Sequence, residues 1–155
     1  MRIWTSYFYQ VRNFKSNMIP VSVCVSDPKW YHNFQDNSYC FFDKRHIYNG
    51  LRYEYAIVQK DIECDCPCED RRGAPCTFLQ SYKDALEQLD FDKIKDNLFY
   101  LRSVYARTHL EIYEKAQIVF LFHEAVNNPC SERKIFQQVF TEHGLPCEEL
   151  AYPIR

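Results

Sequence analysis

Glycine is scarce, at three residues in 155, and little loosens an interior that must hold 12 Tyr and 12 Phe. With hydrophobic residues at 46%, this composition excludes disorder over most of the length and allows one domain with a real core. An excess of one charge is also missing. The 19 basic and 21 acidic residues leave a formal net charge of −2, with no long block of either sign. That balance carries no electrostatic footprint for nonspecific nucleic-acid binding. No apolar run approaches the ~18 residues of a membrane span. Met1–Arg12 lacks the charged start, apolar middle and small-residue cleavage site of a signal peptide. A cytosolic protein is expected, in which the 8 Cys are thiols, metal ligands or a redox site rather than a disulfide framework. In a secreted product lacking its leader that inference reverses. There is no internal repeat and no domain-sized linker, so residues 1–155 are read as a single domain.

Arg2–Tyr9 (RIWTSYFY) is β-prone and predicts the first strand, and Gln10–Asn17 is a polar connection with room for a helical turn. Ile19–Val25 (IPVSVCV) predicts the second strand, with Pro20 suited to a strand's first residue and Pro28 beyond its end. Cys24 within it reads as a small buried apolar thiol. Ser26–Arg45 is irregular and rich in aromatic residues, among them Trp30, Tyr31, Phe34, Tyr39, Phe41 and Phe42. These rings either wall a pocket or plug the side of the core, and aromatic residues more often pack than bind. Asn49–Lys60 has a weak helical spacing in Leu51, Tyr55 and Val58.

Asp61–Cys76 (DIECDCPCEDRRGAPC) places Cys64, Cys66, Cys68 and Cys76 within 13 residues. Structural zinc sites use C-x₂₋₄-C pairs, and this spacing departs from them. In an extended chain Cys64 and Cys68 face one side, and Cys76 joins from beyond Gly73-Ala74-Pro75. Cys66, Cys40, His32 and His46 are the choices for a fourth ligand. Three readings stand: a bound metal, zinc first and an iron–sulfur cluster second; a surface loop with incidental thiols; or a redox-switching disulfide. The neighbouring Glu63, Asp65, Glu69 and Asp70 oppose spontaneous thiolate formation, an opposition a metal overcomes.

Thr77 with Gln80 reads as a capping box, followed by an apolar face of Phe78, Leu79, Tyr82, Leu86 and Leu89. Asp90 caps a second helix carrying Phe91, Ile94, Leu98, Leu101 and Tyr105 at spacings of three and four, with Arg102 and Arg107 read as solvated. Gln117–Phe122 (QIVFLF) is a strand buried on both faces, as in a parallel sheet. His123 and Glu124 mark its end, and Asn127-Asn128-Pro129 delivers Cys130 to the first turn of a helix over Ser131–His143. Ile135, Phe136, Val139 and Phe140 form its buried stripe, Gly144 ends it, and Leu145–Leu150 reads as a closing strand with Cys147 structural. The order of elements predicts an α/β domain of two or three layers, with a mostly parallel sheet flanked by helices and an aromatic and cysteine-rich loop inserted in it.

Chemistry is expected at the strand–loop–helix junction. Helix starts lower a thiol's pKa and attract anions, and open parallel sheets bind ligands at the carboxyl ends of their strands. A Cys-x₅-Arg phosphate loop is excluded, because Phe136 stands where its arginine would be. What remains is Cys130 as nucleophile, His123 as base, Glu124 as orienter or acid and Arg133 as anion clamp, against ordinary strand-end and helix-surface roles for each.

Several separated segments carry a resemblance: IWTSYF, then IPVSV with a nearby Pro-Lys-Trp, then VFLFHEAVNNPCSER and a closing Gly-Leu-x-x-Glu-Glu. Together they resemble the "domain of unknown function 488" family, whose members read approximately I-Y-T-S-Y-F, P-I-S-I, a strand ending in C-Y-E-K, and C-H-R opening the last helix. The resemblance implies a single α/β domain of bacteria and their phages, suspected of enzymatic function on the strength of its cysteine, with no established reaction. Carried over, that cysteine is Cys130, the strand-end acid is Glu124, and the opening polar cluster is Thr5, Ser6 and Tyr7. Departures are clear. His123 replaces an aromatic residue and Phe122 a thiol, and Cys-His-Arg has become Cys130-Ser131-Glu132-Arg133, which moves the arginine about 100° round the helix.

The expected function is binding of an anionic small molecule, such as a nucleotide, at the Cys130 helix terminus, with Thr5, Ser6, Tyr7 and Ser131 as ligand contacts and cysteine-dependent chemistry. The alternative is a noncatalytic ligand- or protein-binding module of phage or bacterial origin, using the aromatic loop and stabilised by a metal at Cys64–Cys76. Neither a membrane nor a nucleic acid is an expected partner, and the oligomeric state is left open.

Overall fold

The computed structural model describes residues 1–23, 29–30, 77–123 and 132–155. Its strands are β1 (Ile3–Tyr7), β2 (Met18–Ser22), β3 (Gln117–Phe122) and β4 (Cys147–Glu149). They form one sheet in the order β2-β3-β1-β4, and every pairing is parallel. The apolar run of β3 thus lies inside the sheet, with Phe120 level with Thr5 on one side and Val21 on the other. Side chains alternate as the pleat requires. Ile118, Phe120 and Phe122 join Ile3, Ile19, Val21, Val23 and Cys147 in one core, whereas Val119 and Leu121 join Met18 in another on the opposite face.

The larger core is closed by three helices: α1 (Thr77–Leu86), α2 (Phe91–Thr108) and α3 (Arg133–Glu142). Tyr82 and Leu86, then Phe91, Ile94, Leu98, Leu101 and Tyr105, then Phe136, Val139 and Phe140 face it. Each such side chain, fully buried, contributes roughly 1.5–3 kcal/mol. The second face carries a 3-10 helix over Phe8–Asn13, whose Phe8 and Val11 pack on Val119 and Leu121, together with Leu150 and the partly buried Trp4, Phe14, Trp30 and Ile154. The structure is therefore α/β with an all-parallel sheet. Among the described residues no helix is long and apolar enough to cross a membrane.

Local chemistry sets the helix ends. Asp90 accepts the Lys93 N–H at 3.1 Å, as its place before α2 predicts. Gly144, at φ +86°, ends α3: its N–H reaches Thr141 O at 3.1 Å and Leu145 N–H reaches Phe140 O at 2.9 Å, the paired closure that a left-handed residue permits. Leu110 takes the same place after α2, at φ +54° and 94% exposed, where glycine would carry no Cβ penalty.

Some expectations need correction. The first strand stops at Tyr7 because the chain turns at once into the 3-10 helix. The second begins at Met18, so Pro20 is its third residue; the missing N–H is tolerated because β2 is outermost among the described strands. Gln80 donates forward to Asp84 Oδ1 at 3.0 Å, and the side chain of Thr77, its expected capping partner, lies outside what is described. Arg102 is not merely solvated: it donates to the carbonyls of Ala116 and Glu114 and stands over the Tyr113 ring, tying the approach to β3 onto α2. The aromatic and cysteine-rich segment lies outside the described residues.

Candidate functional site

β1 and β3 are neighbours whose chains leave in opposite directions. After Tyr7 the chain enters the 3-10 helix on one face and continues to β2; after β3 it leads to α3 on the other face and continues to β4. The carboxyl ends of two strands at such a reversal are the usual ligand position in open parallel sheets. Here those ends are Tyr7 and Phe122, which are level in the ladder.

Arg133, the first residue of α3, is built into this place. Its side chain is 4% exposed, and its guanidinium carbon stands 5.6 Å from the Tyr7 ring centroid and 5.8 Å from that of Phe122. Nη1 donates to Glu149 Oε1 at 2.7 Å. Glu149 ends β4 and lies level with Thr5 on the adjacent strand, which brings its carboxylate to the same face. Three further donors converge on it: Thr5 Oγ1 at 2.7 Å and Gln137 Nε2 at 3.2 Å on Oε2, and the Tyr152 hydroxyl at 2.6 Å on Oε1. Gln137, four residues after Arg133 and so on the same side of α3, also donates to Thr5 Oγ1 at 2.6 Å. Ser6 Oγ lies 2.8 Å from the Tyr152 hydroxyl. The Tyr152 ring is tilted against that of Tyr7 at 5.6 Å.

The electrostatics follow from these contacts. Burial, and then the hydrogen bond given to Glu149, push the Tyr152 phenol above its ordinary range, so it remains a protonated donor. Cys147 is buried beneath the cluster, and burial followed by the charges of Glu149 and Glu148 pushes its thiol up. It stays a neutral core residue, as its place in the closing strand predicts. A partly buried Arg–Glu pair is poor as a source of net stability but strict about geometry, because removing the carboxylate strands the buried Arg133 charge. The arrangement holds one guanidinium in one orientation between two aromatic rings.

Of the residues singled out from the sequence, Thr5, Ser6, Tyr7 and Arg133 come together here. His123 is exposed just past β3, with its ring 5.0 Å from that of Phe8. Glu124, Cys130 and Ser131, and the candidate metal ligands Cys64, Cys66, Cys68 and Cys76, lie outside the described residues. Among the described residues there is no group of three or more His, Cys, Asp or Glu side chains suited to a metal ion. Sequence reasoning missed Glu149, Gln137 and Tyr152. Glu149 was visible as the last residue of the Gly-Leu-x-x-Glu-Glu segment, and Gln137 by its helical spacing from Arg133; Tyr152 carried no signal. No protein-family model matches the chain, and no curated protein and no solved structure is found to match it.

Proposed function

We propose that this is a cytosolic protein that binds an anionic small molecule, of the phosphorylated class to which nucleotides belong, at the carboxyl ends of β1 and β3, with Cys130 supplying thiol-dependent chemistry. The observation that carries this reading is Arg133: a buried guanidinium, oriented by Glu149 and flanked by the Tyr7 and Phe122 rings, at the sheet's reversal point. Guanidinium groups suit phosphate because their planar donors match its oxygens, and aromatic faces support both the cation and a ligand ring. Cys130 precedes Arg133 by three residues in the sequence. The resemblance to the domain of unknown function 488 family supports the same cysteine as the chemical group.

The test is a panel of nucleoside monophosphates and inorganic phosphate, read as a rise in Tm. Binding should raise Tm in the wild-type chain, and Arg133→Lys should weaken it by at least about tenfold through loss of the planar donor set. Cys130→Ser should leave folding and binding intact and abolish turnover of any ligand found to be altered. Activity unchanged in that variant would end the catalytic half and leave a noncatalytic binding module. A panel without any stabilising member would end the whole reading.

A further inference from the structure

A carboxylate already stands where an anion clamp would meet its ligand. Glu149 Oε1 is 2.7 Å from Arg133 Nη1, and the two side chains are 20% and 4% exposed, so solvent reaches the pair from the carboxylate's side. Nor is Glu149 held by Arg133 alone. If the Arg133 contact were released, Tyr152 would still engage Oε1, and Thr5 and Gln137 would still engage Oε2. Three of the four donors on this carboxylate are thus independent of the guanidinium, and on the Glu149 side yielding Arg133 to another anion leaves those three in place.

We infer that Glu149 acts as an internal anion that occupies Arg133 in the ligand-free protein and selects which ligands enter. This rests on the reading above, in which Arg133 meets the ligand. A ligand carboxylate offers Arg133 the same charge and the same two oxygens that Glu149 presents from within the chain, where tethering gives it a high effective concentration. It therefore cannot compete. A phosphate group, with charge near −2 and three strongly accepting oxygens, offers more than Glu149 does. Its greater charge raises the attraction to Arg133 and the repulsion from Glu149 together, so its advantage over a carboxylate lies in the additional accepting oxygen. Glu149 is on this account a specificity-determining and positioning residue that favours phosphorylated ligands over carboxylic acids.

The experiment uses the full chain and two simple probes, sodium phosphate and sodium acetate, titrated at fixed ionic strength into wild type, Glu149→Gln and Glu149→Asp. Binding is read by amide NMR shifts and folding by Tm. Glutamine keeps the shape of the side chain and removes its charge; aspartate keeps the charge but withdraws it by one methylene. The wild type should take phosphate and not acetate. Glu149→Gln should bind phosphate about tenfold more tightly, the size expected for removing one partly solvated like charge at contact range. The same variant should also begin to bind acetate. Glu149→Asp should shift both affinities the same way by a smaller factor, and it decides the matter should the glutamine variant not fold.

Affinities equal to wild type in a folded variant, with only Tm lowered, would overturn the inference and leave the anion site standing. Binding of acetate by the wild type as tightly as phosphate would overturn it as well. Phosphate binding gained only in the variants would support Glu149 as the occupant of Arg133 and remove the proposed wild-type site. Phosphate binding in none of the three proteins would remove both.

Discussion

The two faces of the sheet are built on different principles. One lies under three helices, and its aromatic side chains pack ring on ring: Phe136 stacks on Phe140 at 4.0 Å, and both are tilted against Phe120. The other is covered, among the described residues, by a six-residue 3-10 helix and the tail after β4. It retains a cavity of about 420 Å³ lined by Trp4, Met18, Gln117, Leu150, Tyr152 and Ile154, among others. Dense packing fixes element positions and transmits strain, whereas the described cover of this face leaves the cavity beside Met18 and Gln117, the first residues of β2 and β3. The polar cluster sits at the seam. Arg133 and Gln137 come from the helical side, while Tyr152, which bonds Ser6, comes from the tail.

The contrast is testable first by deleting bulk on each side. Phe136→Ala should cost about 4 kcal/mol, since the neighbouring rings cannot collapse into the space left. Val11→Ala on the thin face should cost no more than about 2 kcal/mol. Urea unfolding measures both, and equal losses would mean that the thin face is as tightly supported as the helical one. A second test asks whether the helical side is optimised throughout. Leu110→Gly should raise stability by roughly 1 kcal/mol, because the exposed leucine occupies a left-handed conformation with little packing in return. A loss on the same urea assay would assign Leu110 a packing role its exposure does not suggest.

The smallest effect is one of pH. Cys147, buried on the helical face, has a folded-state pKa raised above the unfolded thiol's value of about 8.5. Above that pH the unfolded chain gives up the proton while the folded chain keeps it. The stabilising contribution is therefore whole below about pH 8.5 and drains away as pH rises toward the folded value. Cys147→Ala should flatten the fall in stability between about pH 8.5 and 10 relative to wild type. An identical slope in the two proteins would show that Cys147 is not shielded by its surroundings.

Much of the fold was legible because its signals are local. The apolar run of β3, the spacing of apolar residues in α2 and α3, Asp90 as a cap and Gly144 as a stop each depend on neighbours within a turn or two. The candidate site was legible only in part. Thr5, Ser6 and Tyr7 were singled out by the family resemblance and Arg133 as an anion clamp close to Cys130, but their common partner was not. Glu149 joins Thr5 across 144 residues and Arg133 across 16, and no periodicity encodes a contact made by chain crossover. Tyr152 follows the last strand in a stretch without helical or strand pattern, so only the folded geometry reveals that its hydroxyl bridges Ser6 and Glu149. Strand limits were displaced where a turn or a proline sat inside a β-prone run, because propensity does not report which strand is at an edge.

The two edges of the described sheet also bear on how this protein avoids its own kind. Among the described strands β2 is outermost on one side, where Pro20 contributes no amide hydrogen, and β4 on the other is three residues long, preceded by Pro146 and carrying Glu148 and Glu149. An approaching strand would find an interrupted ladder on one side and a short, negatively charged one on the other. Edges of this kind resist edge-to-edge aggregation during synthesis and at high concentration. They also discourage recognition by strand addition, which leaves the loops at the ends of the strands as the part of this sheet open to selection for binding.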